Sequence, residues 1–376
     1  MKARAAVHGA RTVTVQVMSA FRRPLGDNMN RRHFVKTVAG AAAGLYAGRE
    51  LFAQGRRQVS IGGKRVRVVD VHCHWDMPVP ASIVKGTAFE ERVKGPGIED
   101  RVAIMDKMGI DVQAISVNDF WWWEIKDQGL ARAVCQHHND TLAKAARDYP
   151  GRIYGMASIP LQFPELAVEM LQAAVKNGAR GVTVGGHVNN ESLSAPRFDV
   201  FWAKVAEMNE LVFMHPNGSA NIIREGGLAG RGGLGNIVGN PLETTVFLSR
   251  LIFDGTFDKF PTLKVAGAHG GGFLPSYLGR TEVACQRQGQ NCIIKKKPSE
   301  YMRQNIIADT MVFSNEGLRH LVAEMGVGQV VFGTDIPFAW PVNVDLIVDH
   351  PTLSNADKET ILGGTLVKLL RLPAAS

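Results

Sequence analysis

The stretch 68–76, VVDVHCHWD, holds five side chains able to bind a metal: Asp70, His72, Cys73, His74 and Asp76. It continues an apolar, β-rich run, and successive side chains of a strand point to opposite faces. His72 and His74 therefore share a face, with Asp70 one pleat deeper as a core polar or supporting residue. Cys73 turns the other way and reads as a small buried hydrophobe. Asp76 lies past the strand and reads as a loop cap. Further groups of the same chemistry end other apolar runs: His215 in LVFMH, His269 in LKVAGAH and Asp335 in QVVFGTD. Buried imidazoles and carboxylates are costly without partners. One divalent ion would satisfy them together, and this donor mixture suits zinc first, with manganese or iron as the alternatives.

Such groups need a scaffold that brings distant strand ends together. After residue 65 the chain alternates β-rich runs with helical patterns. The runs are 65–72, 112–117, 152–158, 180–185, 211–215, 263–269, 305–309 and 329–335. Near-continuous apolar strands separated by amphipathic helices argue for a parallel sheet covered on both faces. Eight such units predict an α/β fold of the (β/α)8 TIM-barrel type, in which chemistry sits at the C-terminal strand ends. An open doubly wound sheet is the alternative, but no glycine fingerprint follows the first strand.

From about residue 66 to about residue 370 the chain resembles the decarboxylase branch of the amidohydrolase superfamily, and most closely its aminocarboxymuconate-semialdehyde decarboxylase-like family. The matching stretches, in order, are DVHCH, RVAIMDKMGIDVQAIS, IPLQFPELA, GGHVNNESL, NPLETT, FDKFPTLKVAGAHGGGFLP with GR soon after, and GTDIPF. The resemblance implies one divalent metal, typically zinc, held by His72, His74, His215 and Asp335. It implies that His269 acts on a metal-activated water and that Arg101 grips a substrate carboxylate. Arg280 matches an arginine that reaches the site of a neighbouring subunit, so a homodimer is expected. His187, in GGHVNNESL, is a further substrate-binding candidate. Trp122, in FWWWE (120–124), belongs either to loop packing or to the wall of an aromatic substrate pocket.

The expected activity is non-oxidative decarboxylation of a small unsaturated or aromatic carboxylic acid. The alternative is hydrolysis of a lactone, ester or amide at the same site. After His215 the chain reads PNG where the decarboxylase pattern continues Pro-Trp-Asp, and Gln288 stands where a second arginine is expected, so the substrate itself is left open.

The net charge of +8 is unevenly spread. Residues 1–54 carry nine of the 43 Lys/Arg and two of the 35 Asp/Glu, so charge nearly cancels over the rest. A near-neutral body argues against nucleic-acid binding, which needs clustered cations. In the leader, NRRHFVK (30–36) precedes the apolar run TVAGAAAGLYAG (37–48), the layout of a twin-arginine export signal. The run is too short for a stable membrane span. The domain reading is therefore a leader over 1–54 and a barrel over 55–376. The expected location is periplasmic, or cytoplasmic if the leader does not function. Translation starts at Met1 or at Met29.

Four cysteines are too few and too scattered for a disulfide framework. Cys285 and Cys292 would stand about 10 Å apart on a continuous helix, beyond disulfide reach. Free thiols are expected throughout.

Overall fold

The computed structural model describes residues 56–87, 98–117, 124–217, 222–289, 292–342 and 344–374. The leader and Trp122 lie outside the described residues.

A short antiparallel hairpin, β1 (Ser60–Ile61) and β2 (Lys64–Arg65), precedes the barrel. It occupies part of the predicted first strand, which therefore begins later. The first barrel strand comes in two pieces, β3 (Val69–Asp70) and β4 (His74–Trp75). Then follow β5 (Val112–Val117), β6 (Ile153–Gly155), β7 (Val182–Val184), β8 (Leu211–Met214), β9 (Lys264–Gly267), β10 (Ile306–Asp309) and β11 (Val330–Val331). Their pairings are parallel, from β7 through β11 in order and from β3/β4 to β5 to β6. Two parallel bridges close the ring: Ala157 with Val182, and Cys73 with Ile336. The second seam also carries Val71 N to Phe332 O at 3.3 Å and His74 N to Ile336 O at 2.6 Å. The fold is the expected (β/α)8 barrel.

The longer helices are α1 (Ile98–Met108), α2 (Gln128–Asp148), α3 (Pro164–Lys176), α4 (Asp199–Met208), α5 (Asn240–Phe253), α6 (Leu278–Gln288), α7 (Pro298–Gln304) and α8 (Asn315–Met325). The longest, α2, shows why they form. Asp127 caps its start by accepting from Leu130 N at 2.6 Å, which satisfies an otherwise orphan donor. Ala131, Val134, Cys135, His138, Leu142 and Ala145 then recur at three- and four-residue steps and are buried, the stripe a sheet-facing helix needs. Among the described residues, no helix is long and apolar enough to cross a membrane.

Strand alternation divides the core in two. Val69, Val112, Leu211, Phe213, Ala266, Ile307 and Val331 fill the barrel interior, joined by Leu366 and Leu370 from the chain's end. Val68, Ile115, Val182, Val212, Val265, Ile306 and Val330 pack outward in the helical layer.

The first strand departs from strict alternation. Asp70 pairs with Gln113 and His74 with Ser116. Three residues, Val71–Cys73, thus stand opposite two, Ala114 and Ile115. One extra residue bends a strand locally and re-aims its side chains.

The cysteine expectation fails at one pair. Cys285 and Cys292 form a disulfide with their Cα atoms 5.4 Å apart. The physical reason is that α6 stops at Gln288. Gly289 follows with φ +56, a left-handed turn open to glycine. Cys292 N bonds Gly289 O at 3.1 Å, so the chain folds back toward Cys285 instead of rising along the helix. Cys73 and Cys135 are free thiols and buried, as expected.

Candidate metal centre

His72, His74, His215 and Asp335 come together at the C-terminal mouth of the barrel. One ligand atom from each lies within 4.8 Å of the others, and all four residues are buried. His72 Nε2 and His74 Nε2 each stand 3.2 Å from Asp335 Oδ1, and His215 Nε2 stands 4.0 Å from it. The ring of Phe213, one residue before the end of β8, lies 5.1 Å from that of His72 and gives the centre an apolar floor.

The opposite ring nitrogens are already engaged. His72 Nδ1 donates to Asp309 Oδ2 at 2.6 Å. His74 Nδ1 bonds Ser116 Oγ at 2.6 Å, and that hydroxyl donates to Cys73 O at 3.1 Å. A proton held on Nδ1 leaves the Nε2 lone pair free to bind a metal. His72 Nε2, His74 Nε2 and Asp335 Oδ1 are buried without a hydrogen-bond partner. Three converging atoms that each offer electrons call for a cation between them. The chain thus has a site for one divalent metal, with three imidazoles and one carboxylate to hold it.

Electrostatics agree. Burial disfavours charge on His72, but Asp335 and Asp309 outweigh it and push its pKa up to about 10. Burial lowers His74 to about 4. Burial, with His74 and His72 close by, holds His215 well below the ordinary imidazole range. The centre attracts positive charge, while two of its three imidazoles stay neutral as ligands require.

His269 stands beside this set. Its ring lies 5.1 Å from that of His72, and its Nε2 is 3.9 Å from Asp335 Oδ2. It is more open than the four, at 14% exposure. The backbones of His269 and Asp335 are both left-handed, with φ +58 and +57. Strain of this kind in non-glycine residues persists where surrounding bonds enforce it. Asp309 does so for the first, accepting from His269 N at 3.0 Å and Gly270 N at 2.9 Å.

Asp70 is not among the converging atoms. Its carboxylate accepts from His72 N, Gln113 Nε2, Thr334 N and Thr334 Oγ1, stapling the first strand to the last. Burial raises it to about 6 despite these bonds. Arg101, on α1, is buried, and its Nη2 donates to His74 O. His187 lies in the loop after β7, where its Nδ1 accepts from Asn190 N at 3.2 Å. Burial lowers its pKa, against the nearby Glu243. Arg280 is exposed on α6, lining a cleft of about 470 Å³ with Ser249, Phe253 and Asp254. Sequence reasoning missed Asp309, Ser116 and Phe213 as parts of the centre. The signal for Asp309 is present, since it closes the strand NIIAD at the C-terminal strand ends, where the ligands also lie.

A family model described as Amidohydrolase matches residues 69–372. The chain belongs to the amidohydrolase family. This amidohydrolase is 29% identical over 324 residues to 2-amino-3-carboxymuconate-6-semialdehyde decarboxylase of Dictyostelium discoideum, covering 84% of this chain and 82% of the relative. It is 30% identical over 292 residues to gamma-resorcylate decarboxylase of a Polaromonas species, covering 73% and 88%. Among solved structures, a dihydroxybenzoic acid decarboxylase from Polaromonas, with bound manganese and the inhibitor 2-nitroresorcinol, superposes with a TM-score of 0.68 at 26% identity. That match covers 82% of this amidohydrolase and 98% of the other chain.

Proposed function

We propose that this chain is a metal-dependent, non-oxidative decarboxylase of a small aromatic carboxylic acid. The observation that carries the reading is the buried convergence of His72 Nε2, His74 Nε2 and Asp335 Oδ1 beside the more open His269. The relatives named above, decarboxylases by name, support carboxy-lyase over hydrolase chemistry.

When bound, a divalent ion supplies Lewis acidity for activating water and binding anionic oxygen. His72, His74, His215 and Asp335 hold it, and Asp309 and Ser116 keep two of the rings turned toward it. Loss of CO2 breaks the bond from ring carbon to carboxyl carbon and leaves an electron pair on the ring, which must gain a proton. His269 is placed to carry that proton, because its ring borders the centre and its backbone is pinned by Asp309. Arg101, held against His74 O, places a fixed positive charge behind the centre, suited to a substrate carboxylate. Trp122 and His187 join the proposed substrate pocket.

Zinc is the first choice of metal from the donor set; the manganese in the Polaromonas structure makes that ion the alternative. Arg280, exposed on α6, is proposed to serve the site of a second copy in a homodimer. Export by the twin-arginine leader is also proposed. The Cys285–Cys292 bridge supports it, because disulfides persist in oxidising compartments.

The test is a panel of hydroxylated benzoates with zinc- or manganese-loaded protein, reading released CO2. Turnover that is lost in His269→Asn is expected. Cleavage of a lactone, ester or amide with no CO2 from any acid would overturn the reading in favour of a hydrolase.

A further inference from the structure

Among the described residues several large aromatic side chains stay exposed near the barrel mouth. Two of them, Phe313 and Trp340, lie against each other and take no part in holding the metal. Phe313 is 44% exposed and Trp340 is 36% exposed. Their rings lie 5.4 Å apart, tilted by 34°. They come from different loops. Phe313 follows β10 four residues after Asp309, and Trp340 follows Asp335 by five.

Both are held in place by the chain that carries the centre. Met311 N donates to Asp309 Oδ1 at 3.0 Å, and Val312 N to Thr310 O at 2.8 Å. Phe313 itself has φ +53, a conformation rare for a bulky residue. In the other loop, Phe338 N bonds Asp335 O at 2.9 Å and Trp340 N bonds Phe338 O at 2.8 Å. The Phe338 ring lies 6.2 Å from the His74 ring, so this loop runs from the metal centre outward. A strained backbone that keeps an aromatic ring in water gains nothing for the core, and strain of this kind clusters at ligand sites.

We propose that Phe313 and Trp340 form a stacking platform for the ring of an aromatic carboxylate whose acid group lies at the metal. This deepens the decarboxylase reading and rests on it for where the acid group sits. A π face attracts another π face in offset or edge geometry, beyond what apolar burial gives. The platform would therefore select aromatic over saturated acids.

Benzoate and cyclohexanecarboxylate share a carboxylate and a six-membered ring but differ in the π face. Calorimetry with metal-loaded, full-length protein should show benzoate binding more tightly. Trp340→Leu, which keeps an apolar side chain, should abolish that preference by weakening benzoate about tenfold, the worth of a good aromatic contact. Trp340→Phe should retain most of it, and Phe313→Leu should reduce it, with metal content unchanged throughout. Equal weakening of both acids, no change in either, or no benzoate binding at all would overturn the platform. So would a Trp340→Leu protein that changes only its oligomeric state, since the pair would then be a contact between copies. The two readings fail separately. Benzoate preference without decarboxylation of any acid leaves the platform and removes the lyase. Decarboxylation with a KM untouched by Trp340→Leu does the reverse.

Discussion

His72 Nδ1 donates to Asp309 Oδ2 at 2.6 Å, and the same carboxylate accepts from the backbone of His269 and Gly270. One side chain thus orients a metal ligand and fixes the segment carrying the proposed proton carrier. An amide of the same shape keeps one accepting oxygen but puts an NH2 in place of the other, so it cannot serve the donors on both sides. Asp309→Asn should weaken metal binding roughly 10- to 100-fold, the usual loss for such supporting groups. Competition with a chelator of known affinity reads this directly. Unchanged affinity would show that the His72 ring is held by its packing alone.

Gly333 is required by close approach. A Cβ there would lie 2.7 Å from His72 Cβ and 3.0 Å from Asp309 Cβ. Both neighbours belong to the centre, and neither is the loose end of a flexible chain. Gly333→Ala should destabilise the fold by about 1–3 kcal/mol, as overpacking does. It should also lower metal occupancy, because the push falls on His72. Thermal melts with and without added zinc separate the two effects. A melt shifted equally in both states would place the strain away from the metal.

The ligand set was legible because it obeys two simple rules. Strand parity pairs His72 with His74, and barrel topology puts His215, His269 and Asp335 at the same end. Yet the route to the geometry was not legible. The first strand holds an extra residue between Asp70 and His74, and pairing registers reveal this where residue types do not. His72 and His74 still share the inner face because the extra residue falls before them. Asp70 does not share it, since its neighbours Val69 and Val71 line the barrel interior while Asp70 bonds Gln113 and Thr334 on the outward face. Asp309 is legible in the sequence only as the end of a strand, because its partners lie 40 and 237 residues away. The Cys285–Cys292 bridge is not legible in the spacing, because a seven-residue separation is out of reach only on a continuous helix and this helix stops at Gln288.

The cysteines divide sharply. Burial pushes the Cys135 thiol up to about 12, against a hydrogen bond from Ser158, and raises Cys73 well above the usual range. Thiolate is the reactive form. Native protein at about pH 8 should therefore show no thiol titratable by a disulfide reagent, and unfolded, unreduced protein should show two. Four after unfolding would mean that Cys285 and Cys292 are not joined. Removing the bridge with a double serine variant should cost roughly 2–3 kcal/mol, the entropy of so small a loop.

Tyr301, on α7, gives a pH signature remote from the metal. It is 1% exposed; its hydroxyl donates to Asp258 Oδ1 at 2.6 Å and accepts from Lys295 N and Lys296 N at 3.1 and 3.0 Å. Burial, and after it the bond to Asp258, push the phenol up to about 12. An unfolded tyrosine titrates near 10, so the folded state holds this proton more tightly. The stability it contributes is fully present below about pH 10 and is lost as pH rises through about 12. Tyr301→Phe should be less stable than wild type at about pH 9, and the gap should close as pH climbs across that window. Urea midpoints of the two proteins along a pH series measure the gap. A difference that stays constant through about pH 12 would mean that Asp258 does not hold the tyrosine's proton.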